Sequence, residues 1–130
     1  MLKIAHRGYT KQHEDNSLGA FQEAIKHNFD MIELDIQLDK DDSIIIFHDQ
    51  LIETRRVNSM TLQEIHVHHP NVLLLSTFFE KFDYTKIALY FDLKGSDKLS
   101  YILHEFLKKR EIVLDKIWFA SFNIKHLDIL

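Results

Sequence analysis

Five short apolar runs along the chain each end in a polar group. Ile4-Ala5 leads into His6-Arg7-Gly8, Met31-Ile32 into Glu33-Leu34-Asp35, and Ile44 to Phe47 into His48-Asp49. Ile87 to Phe91 leads into Asp92-Leu93-Lys94, and Ile117 to Ala120 into Ser121-Phe122-Asn123. Runs of this length read as strands. Between them lie helical patterns. Leu18, Phe21 and Ile25 share one face of a helix that Asn16 or Ser17 would cap. Thr61-Leu62-Gln63-Glu64 has the form of a capping box, and Thr77-Phe78-Phe79-Glu80 repeats it. Leu99, Ile102, Leu103, Phe106 and Leu107 form the clearest amphipathic stripe, with Lys108, Lys109 and Arg110 at its C-terminal end. Residues 50–60 read as a surface loop carrying Arg55 and Arg56, and Asn123 opens a further segment.

Alternation of strands and helices favours βαβ units and a parallel sheet. Alternate residues of a strand share a face, so Glu33 pairs in direction with Asp35, and Asp92 with Lys94. In a parallel β/α barrel the functional groups collect at the C-terminal ends of the strands. The fold expected is therefore α/β, a TIM-type parallel barrel. A full barrel takes about 250 residues. The 130 residues here supply about five strands of eight, a partial barrel in a single domain spanning residues 1–130.

Composition narrows the function classes. A net charge of −4 gives no electrostatic case for nucleic acid binding. There are no cysteines, hence no disulfide framework and no thiolate chemistry. No apolar run approaches a membrane span or a signal peptide, and the expected setting is cytoplasmic. With only 3 Gly and 1 Pro, the turns fall to Asn, Asp and Ser, as in Asp39-Lys40-Asp41-Asp42-Ser43.

The polar groups at the strand ends have a coherent chemistry. Glu33, Asp35 and Asp92 offer only oxygen ligands, and converging carboxylates repel unless a cation lies between them. All-oxygen ligation suits one divalent cation, Mg²⁺ or Ca²⁺. Imidazole is suited to proton transfer near neutral pH, which makes His6 and His48 the candidate acid–base pair. Arg7 can grip a phosphate with two hydrogen bonds, and Lys94 can add a point charge. Together they describe phosphodiester cleavage better than sugar or acyl chemistry. His66, His68 and His69 lack spaced partners and read as a polar helix end, not a zinc site. His13, His27, His104 and His126 read as surface residues. Tyr90, Phe91, Trp118 and Phe119 read as barrel core.

In order and spacing, these motifs resemble the N-terminal half of the glycerophosphodiester phosphodiesterases. The resemblance rests on His6-Arg7-Gly8, Asn16-Ser17-Leu18 with Ala20-Phe21, Glu33-Leu34-Asp35, His48-Asp49, Thr61-Leu62-Gln63-Glu64, Asp92-Leu93-Lys94 and Ser121-Phe122-Asn123. It implies a β/α barrel, a cation held by Glu33, Asp35 and Asp92, and His6 and His48 as acid and base. It also implies hydrolysis of glycerophosphodiesters to glycerol 3-phosphate and an alcohol, with Asp15, Asn16 and Asp49 in support. The chain departs from the family pattern in four places. Glu14-Asp15-Asn16-Ser17 stands for Pro-Glu-Asn-Thr. Asp92 stands for Glu, as in the related spider-venom sphingomyelinase D group. Asp41-Asp42 stands for an Asp-Gly turn. The last three barrel strands have no counterpart. Two classes follow: a metal-dependent phosphodiesterase, or a non-catalytic remnant that binds a phosphodiester or a protein partner. Open strand edges imply association, through a homodimer or through another chain that supplies the missing C-terminal half.

Overall fold

The computed structural model describes residues 1–121, so the segment from Phe122 through Asn123 and His126 lies outside the described residues. The chain runs β1 (Ile4–His6), α1 (Leu18–Lys26), β2 (Met31–Leu38), β3 (Ile44–Ile46), β4 (Leu51–Ile52) and β5 (Arg55–Arg56). It continues through α2 (Leu62–His68), β6 (Leu73–Leu74), α3 (Leu75–Lys81), β7 (Ala88–Leu93), α4 (Lys98–Lys109) and β8 (Ile117–Ser121). Strands β1, β2, β7 and β8 pair side by side, all parallel. This is the βαβ arrangement expected of a partial barrel, and among the described residues the sheet is open.

The third apolar run departs from expectation. β3 belongs to the sheet but runs antiparallel to β2, with Ile36 opposite Ile46 and Leu38 opposite Ile44. β6 in turn pairs antiparallel with β3. Among the described residues the parallel core therefore has four strands, not five, and the sheet is mixed. The reason is the short connection: the five residues from Asp39 to Ser43 are too few for a crossover and suffice for a hairpin-type return. Asp39 accepts from the backbone N–H of Asp41 and Ser43, and Asp42 takes a left-handed φ of 62°. Non-glycine residues also take the left-handed region at Arg7, Asn16, Asn28, Glu53 and Glu111, which is how so glycine-poor a chain turns its corners.

β2 and β7 divide their side chains cleanly. Ile32, Leu34, Ile36, Leu89, Phe91 and Leu93 face the helices and join Phe21, Phe78, Phe82, Leu99, Leu103 and Leu107 in the main core. Ile45 points the other way, into a second cluster with Ile52, Val57, Met60 and Ile65. Residues 50–60 are thus not a plain surface loop. β4 and β5 form a small hairpin that covers this second cluster, although Arg55 and Arg56 are exposed. The Thr61–Glu64 capping box forms in full at α2, whereas Thr77 lies inside α3 and caps nothing. Phe91 is core as expected, but Trp118 is 58% exposed. It is on the opposite face of β8 from Ile117 and Phe119, on the side of Tyr90, which the described residues do not cover.

Gly8 joins this core to the site. Its φ is 87°, and a Cβ there would come within 2.7 Å of the Ala20 carbonyl carbon and Cβ. Gly95 has a φ of 90° but open space, with Gln50 Nε2 nearest at 3.8 Å. Gly8→Ala should therefore cost both backbone strain and overpacking, at least about 2 kcal/mol, and Gly95→Ala only the strain, roughly 1 kcal/mol. Denaturant midpoints that rank the two variants equally would contradict this account.

Candidate active site

The site begins with strand register. β7 lies on β2 with Glu33 opposite Tyr90 and Asp35 opposite Asp92. Paired residues share a face, so Glu33, Asp35 and Asp92 all point to the inner side of the sheet. Their carboxylate oxygens lie within 4.8 Å of one another. Among the described residues this is the group that could hold a metal ion. The histidines of α2 do something else: His66 Nε2 bonds the Val72 carbonyl, and the His69 ring packs on Phe47.

β1 sets the next residues. His6 is opposite Glu33, with its Nε2 3.9 Å from Glu33 Oε1. Arg7 turns left-handed, with a φ of 59°, so that its backbone N–H donates to Glu33 Oε1 at 3.1 Å. Strain at a non-glycine residue is tolerated where such contacts hold it. The Arg7 guanidinium lies between Asp15, at 3.2 Å from Nη1, and Asp35, at 3.2 Å from Nε. The shorter Asp15 thus keeps a contact with Arg7. Ser17, not Asn16, caps α1. Asn16 instead turns inward, donating to Asp35 Oδ2 at 3.0 Å and accepting from the Asp35 N–H at 3.3 Å.

The antiparallel return of β3 delivers the second histidine. β7 occupies one edge of β2, so β1 and β3 share the other, β1 along its first half and β3 along its second. The Phe47 N–H bonds the Asp35 carbonyl, which brings His48 back down to the level of the carboxylates. Gln37 Nε2 fixes this bend, donating to the carbonyls of Phe47 and Asp49 at 2.8 Å each. Gln37 was missing from the candidate residues. The signal was there, because Glu33, Asp35 and Gln37 alternate along one strand. His48 Nδ1 pairs with Asp49 Oδ1 at 2.8 Å, which directs Nε2 outward.

The electrostatics are those of an acid cluster short of positive charge. Asp35 is 1% exposed. Lys94 sits 3.1 Å from Asp92 and 3.7 Å from Asp35. Glu33, Asp35, Asp92 and Asp15 thus share two cations, Arg7 and Lys94, and Asp35 Oδ1 is buried without a hydrogen bond. Burial first, and then the Asp35 and Asp92 charges, push the Glu33 carboxyl up to about 7, against the pull of the Arg7 N–H. Hard oxygen donors, a deficit of positive charge and an orphaned buried oxygen together fit a divalent cation. Beside the cluster, a cavity of about 340 Å³ runs between Asp15, Asn16, His48, Asp49, His69 and Asn71.

A folded-state value above the ordinary one means that Glu33 binds its proton more tightly when folded. Its stabilising contribution is present below the unfolded value near 4.5 and is lost as pH rises toward about 7. The cation-free protein should therefore lose melting temperature across that window. Glu33→Gln should flatten the slope, and a profile for that variant as steep as the parent's would show that another group is responsible.

Comparison with known proteins is consistent with this geometry. The Glycerophosphoryl diester phosphodiesterase family matches residues 6–125. A glycerophosphodiester phosphodiesterase of Caldanaerobacter subterraneus is 39% identical over 69 residues, 49% of this chain and 28% of that protein. An uncharacterised protein of Mycoplasma genitalium is 29% identical over 97% of this chain and 60% of its own length. The glycerophosphodiester phosphodiesterase structure from Thermotoga maritima superposes with a TM-score of 0.81 at 25% identity, over 98% of this chain and 57% of that one. A phosphodiesterase structure from Oleispira antarctica gives a TM-score of 0.82 at 22% identity, over 99% of this chain and 60% of that one. The chain thus spans no more than about three fifths of the relatives it matches, an α/β sheet equivalent to part of their barrels. With its motifs in family order and its fold matched, this chain belongs to the glycerophosphoryl diester phosphodiesterase family.

Proposed function

We propose that this chain carries the site for metal-dependent hydrolysis of glycerophosphodiesters to glycerol 3-phosphate and an alcohol. It would do so as a single cytoplasmic domain, 1–130, that corresponds to the N-terminal part of the family barrel. The observation that carries the reading is the register that sets Asp35 against Asp92 with Glu33 on the same face. The Oleispira antarctica phosphodiesterase, of the same fold, was captured with the product sn-glycerol-3-phosphate. Among the described residues no helix is long and apolar enough to cross a membrane.

Glu33, Asp35 and Asp92 would hold Mg²⁺ or Ca²⁺. Such a cation, when bound, stabilises charge on a phosphate and lowers the pKa of a bound hydroxyl. Arg7, set by Asp15 and Asp35, and Lys94, set by Asp92, would receive the phosphate oxygens. His6 and His48 reach the site from β1 and from the end of β3. One takes the proton of the attacking hydroxyl, and the other gives a proton to the leaving alcohol. Asp49 holds Nδ1 of His48, so Nε2 is the atom that moves the proton. A second reading, binding without turnover, is supported by the sheet, which among the described residues is open, with four parallel strands at the site.

Mg²⁺ or Ca²⁺ should raise the melting temperature by mass action, and Glu33→Gln or Asp35→Asn should abolish the gain. His6→Ala and His48→Ala should keep it while lowering glycerophosphocholine hydrolysis by roughly 100-fold or more. A metal-dependent shift without turnover in the parent chain selects the second reading. No shift with either ion removes the metal site.

A further inference from the structure

Of the two adjacent arginines on β5, one is engaged and one is not. Arg55 donates from Nη1 to Glu64 Oε2 at 2.6 Å and from Nη2 to the Ser59 carbonyl. Arg56 is exposed, and among the described residues no hydrogen bond or ion pair holds its guanidinium. The hairpin fixes where it sits. Arg56 lies opposite Leu51, and the Val57 N–H donates to the Gln50 carbonyl at 3.0 Å, which sets Arg56 beside the segment that carries His48 and Asp49. The ladder between β2 and β7 supplies the other wall. The Lys94 N–H donates to the Ile36 carbonyl at 2.9 Å, so Gln37 and Lys94 emerge side by side, one pleat beyond Asp35 and Asp92 on the same face. Between these walls is a hollow of about 40 Å³, whose polar side chains are those of Gln37, Gln50, Arg56, Asn58, Lys94 and Ser96.

We propose that Arg56 binds, in this hollow, a negative group carried by the substrate's alcohol, a carboxylate or a second phosphate. The assignment rests on the hydrolytic reading above and names the class of alcohol. Two cations and no carboxylate line the hollow, whereas Glu14, Asp15 and Asp49 line the cavity at His48. Lys94 is occupied by Asp92 and Asp35, which leaves Arg56 as the cation that no carboxylate among the described residues answers. A guanidinium flanked by amides is matched to a small anion that takes two of its hydrogen bonds at once. Glycerol is uncharged and common to all glycerophosphodiesters, so a positive group beyond the phosphate discriminates only among alcohols. Lys94 connects the two places. It lies 3.1 Å from Asp92 and also lines the hollow, so a phosphate held at Lys94 has the hollow next along the rim. The size agrees, since about 40 Å³ admits a terminal group and not a whole alcohol.

Glycerophosphoserine and glycerophosphoethanolamine differ by one carboxylate and make a matched pair. In saturating Mg²⁺ or Ca²⁺ the parent chain should favour the serine ester in kcat/KM by roughly fivefold or more, with the difference in KM. Arg56→Gln should bring that ratio to about one, and Arg56→Glu should invert it. Arg55→Gln, which loses the Glu64 contact instead, should keep the parent's ratio. Calorimetric titration with the same two compounds gives the ratio as affinities and reads Arg56 without turnover. A serine preference in binding that Arg56→Gln removes, with neither ester hydrolysed, would sink the hydrolytic reading and keep Arg56 as the anion-binding residue. Equal kcat/KM and equal affinity for the two esters in the parent, a preference that survives Arg56→Glu, or binding of neither ester would each overturn the assignment. Inorganic phosphate that competes alike with both esters, and ceases to compete in Arg56→Gln, would place a free anion or the reacting phosphate at Arg56 and overturn it as well.

Discussion

Everything at the site depends on one crowded contact, the juxtaposition of Asp35 and Asp92 across the β2–β7 ladder. Parallel pairing sets these carboxylates side by side, and the pleat adds Glu33 two residues back on the same face. Three acids gathered with oxygens within 4.8 Å are unfavourable unless compensated. Much of the surrounding structure answers that cost. Arg7 is held in the left-handed region so that its backbone N–H meets Glu33 while its guanidinium meets Asp35. Asn16, also left-handed, spends both ends of its amide on Asp35. Lys94 folds back over Asp92. Gly8 permits the close seat on α1 that keeps the strained Arg7 in place.

The second constraint is directional. Five connecting residues after Leu38 are too few for a strand to return parallel beside β2. By turning back at Asp39 to Ser43, β3 descends along the edge that β1 climbs, and the two histidines approach one level from opposite directions. Gln37 makes that meeting definite by tying Phe47 and Asp49 to the strand that bears the acids. His6 thus meets Glu33 from β1, and the end of β3 returns His48 alongside β2.

The motifs themselves were legible in the sequence, because strand ends and their polar groups recur in a pattern that chance seldom produces. His6, Glu33, Asp35 and Asp92 came together on one face, although Glu33 and Asp35 lie inside β2, not at its end. What the sequence hid was direction. An Ile-Ile-Ile run has the same apolar signature whether it runs up or down a sheet, and only the five-residue connection before it carried the information. The hairpin at 51–56 was hidden for a related reason. Two-residue strands have no periodicity to read, and Arg55 and Arg56 made the stretch look solvated while Ile52, Val57 and Met60 closed a second core beneath it. Trp118 was assigned to the core on hydrophobicity alone, though its alternation with Ile117 and Phe119 put it on the uncovered face.

The division of labour along the chain has an electrostatic consequence. All the acids, both histidines and both cations come from β1 to β7 and their adjoining turns, so the charged centre is assembled within this half alone. It is also already dry on the sheet side, with Asp35 at 1% exposure and Glu33 at 6%. Besides the positive charge that the cluster is short of, the described residues give its open side no low-dielectric cover. Interactions among ionised groups strengthen as water is excluded, and so does the penalty for leaving them unbalanced. A wall closing over Asp92 would therefore sharpen both the attraction of the cluster for a cation and the repulsion within it when no cation is bound. Burial and the neighbouring Asp35 charge push the Glu33 carboxyl up to about 7, which eases the repulsion within the cluster.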